Sequence, residues 1–142
     1  MSLKNLCIKC VIDNEIKVER VPKDIIEYYK LIKENDIEQA SYNGHLEVVK
    51  YLHGVVKAEC SIWSMDYACE NGHIKVVRYL YEVVKVEFTE LAMNLASKNG
   101  HLEVVKYLHE EVKAKCTKRA MDWASKNGHI EIVTYLKLNI NK

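Results

Sequence analysis

The chain is 142 residues long, 49% hydrophobic and 29% charged, with one proline and five glycines, which supplies apolar side chains for a core and leaves no linker-like stretch. Lys and Arg total 21 against 20 for Asp and Glu, so no net field favours nucleic acid or an anionic membrane. Lys4, Lys9 and Asp13 break the first apolar stretch, no long apolar run occurs elsewhere, and the cysteines form no regular disulfide framework, so a reducing, cytoplasmic location is expected.

In chain order, LCIKCVI and IKVERV flank Asp13, Asn14 and Glu15, a pattern that predicts a β-hairpin. Pro22 then opens an amphipathic helix with Ile25, Ile26, Tyr29 and Ile32 on one face. Residues 1–31 are read as an N-terminal cap, and residues 32–142 as a repeat domain. Gly44, Gly72, Gly100 and Gly128 recur every 28 residues within the blocks NGHLEVVKYL, NGHIKVVRYL, NGHLEVVKYL and NGHIEIVTYL. Ala40, Ala68, Ala96 and Ala124 stand four residues before each glycine. A period of this size signals stacked helical units, here about 32–59, 60–87, 88–115 and 116–142.

Each unit reads as two helices. The first starts after Ser61, Thr89 or Thr117, whose hydroxyls can accept from a free backbone N–H, and ends at the glycine, which takes a left-handed conformation. The second begins at once and is apolar around most of its circumference, so it needs neighbours on both sides. In the connectors Val56, Ala58 and Cys60 alternate with Lys57 and Glu59, predicting a short extended segment with one face inward. The first unit is atypical, with Lys33 where later units carry Ser or Thr.

Candidate chemistry is sparse. His45, His73, His101 and His129 occupy one position in successive units, and neighbours about 10 Å apart cannot share a metal with bonds near 2 Å. His53 and His109 lie two units apart and find no partner in the sequence pattern. Cys7 and Cys10 form a lone CxxC pair, while Cys60 and Cys116 share a position with Phe88, which marks an apolar pocket. No phosphate loop, nucleophile elbow or paired-histidine zinc helix occurs, so no catalytic residue, metal or cofactor is expected, and the chain is not read as an enzyme.

The Asn-Gly-His-Leu/Ile-x-Val/Ile-Val-x-x-Leu block, present four times, resembles the ankyrin repeat, particularly the short 28-residue units of giant-virus and protist proteins. The resemblance implies an all-α fold: an ankyrin-repeat solenoid of four stacked helix pairs. Two departures stand out. Trp63-Ser64-Met65-Asp66 and its equivalents replace the family's Thr-Pro-Leu-His, and about five residues are missing where ordinary units build a β-hairpin finger, which should be shortened or absent.

Positions that vary between units at one structural place are free to serve a partner. Spacing by i, i+4 and i+8 puts Glu34, Glu38 and Tyr42 on one side of a helix, followed by Ile62, Asp66 and Glu70, then Glu90, Asn94 and Lys98, then Lys118, Asp122 and Lys126. The family resemblance turns the first and last of each triplet toward a concave groove. Formal charge along the triplets runs −2, −2, 0 and +1, and Lys113 and Lys115 extend the basic end. Trp63 and Arg119 share one further position, and Tyr67 and Trp123 another, which is expected to face the core. If exposed, Trp63 is the leading anchor for a partner.

These features lead to a protein–protein interaction scaffold that is monomeric and binds neither nucleic acid nor membrane, its partner a host protein in the host cytoplasm if the giant-virus resemblance holds. Two alternatives stay open. The strand-turn-strand-helix patterning of residues 1–31 resembles the opening of BTB/POZ and Skp-type adaptors, which would make the chain a substrate-recognition adaptor of a ubiquitin ligase. Alternatively, acidic ends stack on basic ends in a self-assembling structural protein.

Overall fold

The computed structural model describes residues 23–140, and the expected hairpin and the Cys7/Cys10 pair lie outside them. The described residues hold nine α-helices and no strand. Helix α1 (Lys23–Glu34) precedes four helix pairs: α2 (Ile37–Tyr42) with α3 (Leu46–Tyr51), α4 (Ile62–Glu70) with α5 (Ile74–Tyr79), α6 (Glu90–Lys98) with α7 (Leu102–Glu110), and α8 (Lys118–Lys126) with α9 (Ile130–Asn139). First helices α2, α4, α6 and α8 pack in one row, and each contacts the second helix of its own pair.

The expected starts are found. Ser61 Oγ accepts from Trp63 N at 3.1 Å, Thr89 Oγ1 from Leu91 N at 3.1 Å and Thr117 Oγ1 from Ala120 N at 3.0 Å. In the first unit the cap is Asp36, accepting from Gln39 N at 2.8 Å, so α2 starts about one turn late. The helix ends explain the repeated Ala-x-x-x-Gly-His spacing. His45, His73, His101 and His129 each donate their backbone N–H to the carbonyl of Ala40, Ala68, Ala96 and Ala124 at 2.9 Å, while the intervening glycines have φ of 72–85°. This is the Schellman closure, in which the left-handed residue must lack a Cβ to avoid strain. The four alanines are fully buried, because a larger side chain there would separate the paired helices.

Second helices supply the core. Val48, Val49, Leu52, Val77, Leu80, Val105, Leu108 and Leu136 are all 0% exposed. Helices α3 and α5 continue into single π-helical turns, Leu52–Val56 and Leu80–Val84. Lys57, Lys85 and Lys113 follow in the left-handed region, and Ala58, Val86 and Ala114 close back on the carbonyls of Leu52, Leu80 and Leu108. Alternation in the connector therefore holds from Ala58 onward, but Val56, expected inward, sits in the π turn and is exposed.

Helix α1 stands where a preceding unit would be. Tyr28, Leu31 and Ile32 are buried against α2 and α3, and Glu27 accepts from Asn43 Nδ2 at 3.0 Å and meets His45 Nε2 at 3.2 Å. Of the face expected from the sequence, Ile32 is buried and Ile26 half-buried, the side chains of Ile25 and Tyr29 lie outside the described residues, and Tyr28 and Leu31 are buried in addition.

Candidate functional site

The first-helix row is fixed through its backbone. Nε2 of His73, His101 and His129 donates to the main-chain carbonyl of Tyr42, Glu70 and Lys98 of the preceding unit, at 2.9 Å in each case. Each of these imidazoles also packs over the glycine of the preceding unit, His73 on Gly44, His101 on Gly72 and His129 on Gly100. The last residue of each of the first three variable triplets is therefore held by its carbonyl while its side chain stays available. The histidines act between units, and burial draws the His101 pKa below the ordinary histidine value.

The middle positions of the triplets do something the sequence reading did not anticipate. Thr89 Oγ1 donates to Asp66 Oδ1 at 2.9 Å, Thr117 Oγ1 donates to Asn94 Oδ1 at 2.7 Å, and Ser61 Oγ donates to Glu38. Each hydroxyl thus caps its own helix and bonds the preceding one. Asp66 and Asn94 are 2% and 3% exposed, so both leave the set expected to meet a partner: they are inter-unit struts. Desolvation raises the Asp66 carboxyl above the usual range; the Thr89 bond opposes this and nearby Glu70 adds to it. Asp122, at the same position in the last unit, is exposed.

Most of the remaining candidates are exposed: Tyr42, Ile62, Trp63, Glu90, Lys98, Lys115, Lys118, Arg119 and Lys126, with Glu38 and Glu70 half-buried. Glu34 is exposed too, but it ends α1 and does not share a helix with Glu38 and Tyr42, because Asn35 in the left-handed region and the Asp36 cap break the chain between them. Lys113 is exposed and its ammonium returns to the Glu110 carbonyl. Two aromatic clusters occupy the row. Tyr42 meets Tyr67 edge-on with centroids 5.9 Å apart, and Trp63 lies 6.4 Å from Tyr67. At the other end, Arg119 and Lys98 lie 5.7 and 5.9 Å from the centre of the Trp123 ring. Tyr67 and Trp123, expected in the core, are only half-buried and form the floors of these clusters.

On the second-helix side, His53 and His109 do find partners, Tyr79 and Tyr135 of the following units, with Nδ1 to hydroxyl distances of 3.1 and 2.8 Å. Tyr107 and Tyr135 donate to Glu82 and Glu110, and burial together with these carboxylates raises both phenols. A cleft of about 410 Å³ is lined by His53, Lys57, Ala58, Glu59, Cys60 and Val84. Burial pushes the Cys60 thiol up to about 11, so it stays protonated and weakly nucleophilic near neutral pH. Among the described residues no three His, Cys, Asp or Glu side chains converge to hold a metal ion, and no helix is long and apolar enough to cross a membrane.

The family model of ankyrin repeats, in three copies, matches residues 37–108 and 65–142. A chain in the crystal structure of the yeast ribosomal protein Rps3 in complex with its chaperone Yar1 is similar in fold, with a TM-score of 0.59 and 26% identity over 72% of this chain and 90% of that one. No curated protein sequence matches. Ankyrin repeats are protein–protein interaction scaffolds, which accords with a row of first helices locked by backbone and variable in side chain. The repeated helix pairs, closed by Gly-His turns and matched by the family model over most of their length, establish that the chain belongs to the ankyrin-repeat family.

Proposed function

We propose that the chain is a non-catalytic scaffold that binds a partner protein along its first-helix face. The observation that carries this reading is the separation of roles at Tyr42, Glu70 and Lys98, whose carbonyls are bonded to the next unit while their side chains change from aromatic to acidic to basic. With Asp66 and Asn94 buried and Glu34 on α1, accessible charge on the first helices runs from Glu38 and Glu70, through Glu90 and Lys98, to Lys118, Arg119, Asp122 and Lys126. Such polarity orients a partner and rejects wrong ones more than it adds raw affinity. The fold likeness to a chain from a ribosomal protein–chaperone complex supports a protein as the partner. The 28-residue units support a source similar to giant viruses or protists, hence a cytoplasmic module with a host protein as target if viral.

Self-assembly by stacking acidic end on basic end is the weaker reading, because α1 already covers the first unit through Glu27, Tyr28 and Leu31 and would have to be displaced. The ligase-adaptor reading rests on residues 1–31, and deleting residues 1–22 should then abolish ligase association while leaving a substrate bound. For the favoured reading, Lys118→Glu with Lys126→Glu should weaken partner binding about tenfold or more without lowering the melting temperature. Unchanged affinity would remove the basic end from the binding face.

A further inference from the structure

The 28-residue register lets one site be compared with itself along the row. In each unit after the first, the register sets a residue from the last turn of the preceding first helix beside two residues one turn apart on the unit's own first helix, and these touch in the second and fourth units. These are Tyr42, Trp63 and Tyr67 in the second unit, Glu70, Leu91 and Leu95 in the third, and Lys98, Arg119 and Trp123 in the fourth. In the fourth unit the chain supplies both an aromatic floor and its cations, since Arg119 and Lys98 lie within 6 Å of the Trp123 ring centre. The negative face of an indole attracts a cation placed there. The second unit has three rings, two of them at least 44% exposed, and among the described residues no Lys or Arg lies over Tyr42, Trp63 or Tyr67. Carboxylates border it instead: Glu38 is one turn before Tyr42, and Glu70 is one turn after Tyr67. Glu38 is held by Ser61, whereas the Glu70 carboxylate has no hydrogen-bond or ion-pair partner among the described residues.

We infer that the Tyr42–Trp63–Tyr67 cluster receives an arginine side chain from a basic segment of the partner, its guanidinium laid over the Trp63 and Tyr67 rings as Arg119 lies over Trp123, and paired with Glu70. This rests on the proposed partner-binding face and names the occupant of its acidic end. Arginine fits better than lysine because its weakly hydrated, planar group stacks on a ring and pairs with a carboxylate at once. A nucleotide base could stack on the same rings, but Glu38 and Glu70 repel the phosphates that would accompany it.

The test uses the full chain and a fluorescein-labelled peptide of alternating glycine and arginine, read by anisotropy at low salt. A matched peptide with citrulline, which keeps the shape and loses the charge, serves as the comparison. The arginine peptide should bind roughly tenfold more tightly than the citrulline one. Trp63→Ala should weaken it about tenfold, Trp63→Phe and Glu70→Gln roughly threefold each, and Trp123→Ala less than about twofold. Because Trp63 is half exposed, its variants should keep the wild-type melting temperature. Equal binding of the two peptides, loss on Trp123→Ala instead of Trp63→Ala, or Trp63-dependent preference for an oligothymidylate would each overturn the inference. If the peptide fails while Lys118→Glu/Lys126→Glu still weakens a protein partner, the arginine site falls and the binding face stands. If the peptide binds through Trp63 while a protein partner ignores every first-helix variant, the site stands and the face falls as the partner's seat.

Discussion

Replacing Thr89 with alanine removes one hydroxyl that serves two helices. It accepts from Leu91 N and Ala92 N at the start of α6 and donates to the Asp66 carboxylate on α4. Loss of such a cap costs about 1 kcal/mol. Leaving a 2% exposed carboxylate without its donor adds roughly 2–3 kcal/mol, toward the upper end for buried groups because the acceptor is charged. Thr117→Ala removes the same cap but orphans the neutral amide of Asn94, for a total of about 2 kcal/mol. Urea unfolding followed by far-UV circular dichroism should therefore find Thr89→Ala the more costly by about 1–2 kcal/mol near pH 7. The pH dependence fixes the cause. Asp66 has its pKa raised on folding, so the folded chain binds the extra proton, and its contribution to stability is full below the ordinary carboxylate value and lost as pH rises through the folded value. At about pH 3 the carboxyl is protonated and the gap between the two variants should close. Asp66→Asn should likewise bring Thr89→Ala down to the cost of Thr117→Ala. Equal costs at neutral pH, or a gap that persists in acid, would refute the reasoning.

The glycines give a second comparison: Gly72→Ala pushes a methyl into the His101 ring at a φ of +73°, whereas at Gly128 a methyl meets nothing within 4 Å. In thermal melts Gly72→Ala should cost at least about 2 kcal/mol more than Gly128→Ala, which carries only the left-handed strain of about 1 kcal/mol. Ser64 is fully buried with an unpartnered hydroxyl, while Ala92 and Ala120 fill the same place in later units, so Ser64→Ala should stabilise the fold by roughly 1 kcal/mol. A melting temperature unchanged or lowered would mean that this hydroxyl is satisfied. Burial lowers the His101 pKa on folding, so its contribution is present above the ordinary histidine value and is lost as pH falls toward the folded value. Between about pH 7.5 and pH 5.5 the wild type should therefore lose more stability than His101→Gln, as measured by urea midpoints.

Much of the architecture was legible because its devices are local in sequence. Ser61, Thr89 and Thr117 each cap the helix they precede, and the Ala-to-Gly-His spacing encodes the helix closure within six residues. The missing finger follows from connector length. Contacts between units were harder to see, because periodicity within one helix does not report where the next helix begins. Asp66 and Asn94 share a helix side with exposed residues, yet the start of the following first helix lies over them. Their signal was a constant 23-residue offset from acceptor to hydroxyl, seen in Glu38–Ser61, Asp66–Thr89 and Asn94–Thr117. The His53–Tyr79 and His109–Tyr135 pairs, 26 residues apart, escaped for the same reason. Asp36 escaped as a cap because the first unit begins against α1, not against another repeat. Val56 turned outward because a π turn, invisible to a two-residue alternation, intervenes before the chain extends.

The central claim concerns which row of helices meets a partner. A protein captured from the native cell can be titrated against the wild-type chain and two charge-reversed chains, Lys118→Glu/Lys126→Glu on the first-helix row and Lys75→Glu/Lys137→Glu on exposed positions of the second-helix row. The two pairs change net charge equally, so a general field effect would weaken both alike. The account predicts a dissociation constant raised about tenfold or more by the first pair and changed less than about twofold by the second. The reverse order, or equal effects, would contradict it.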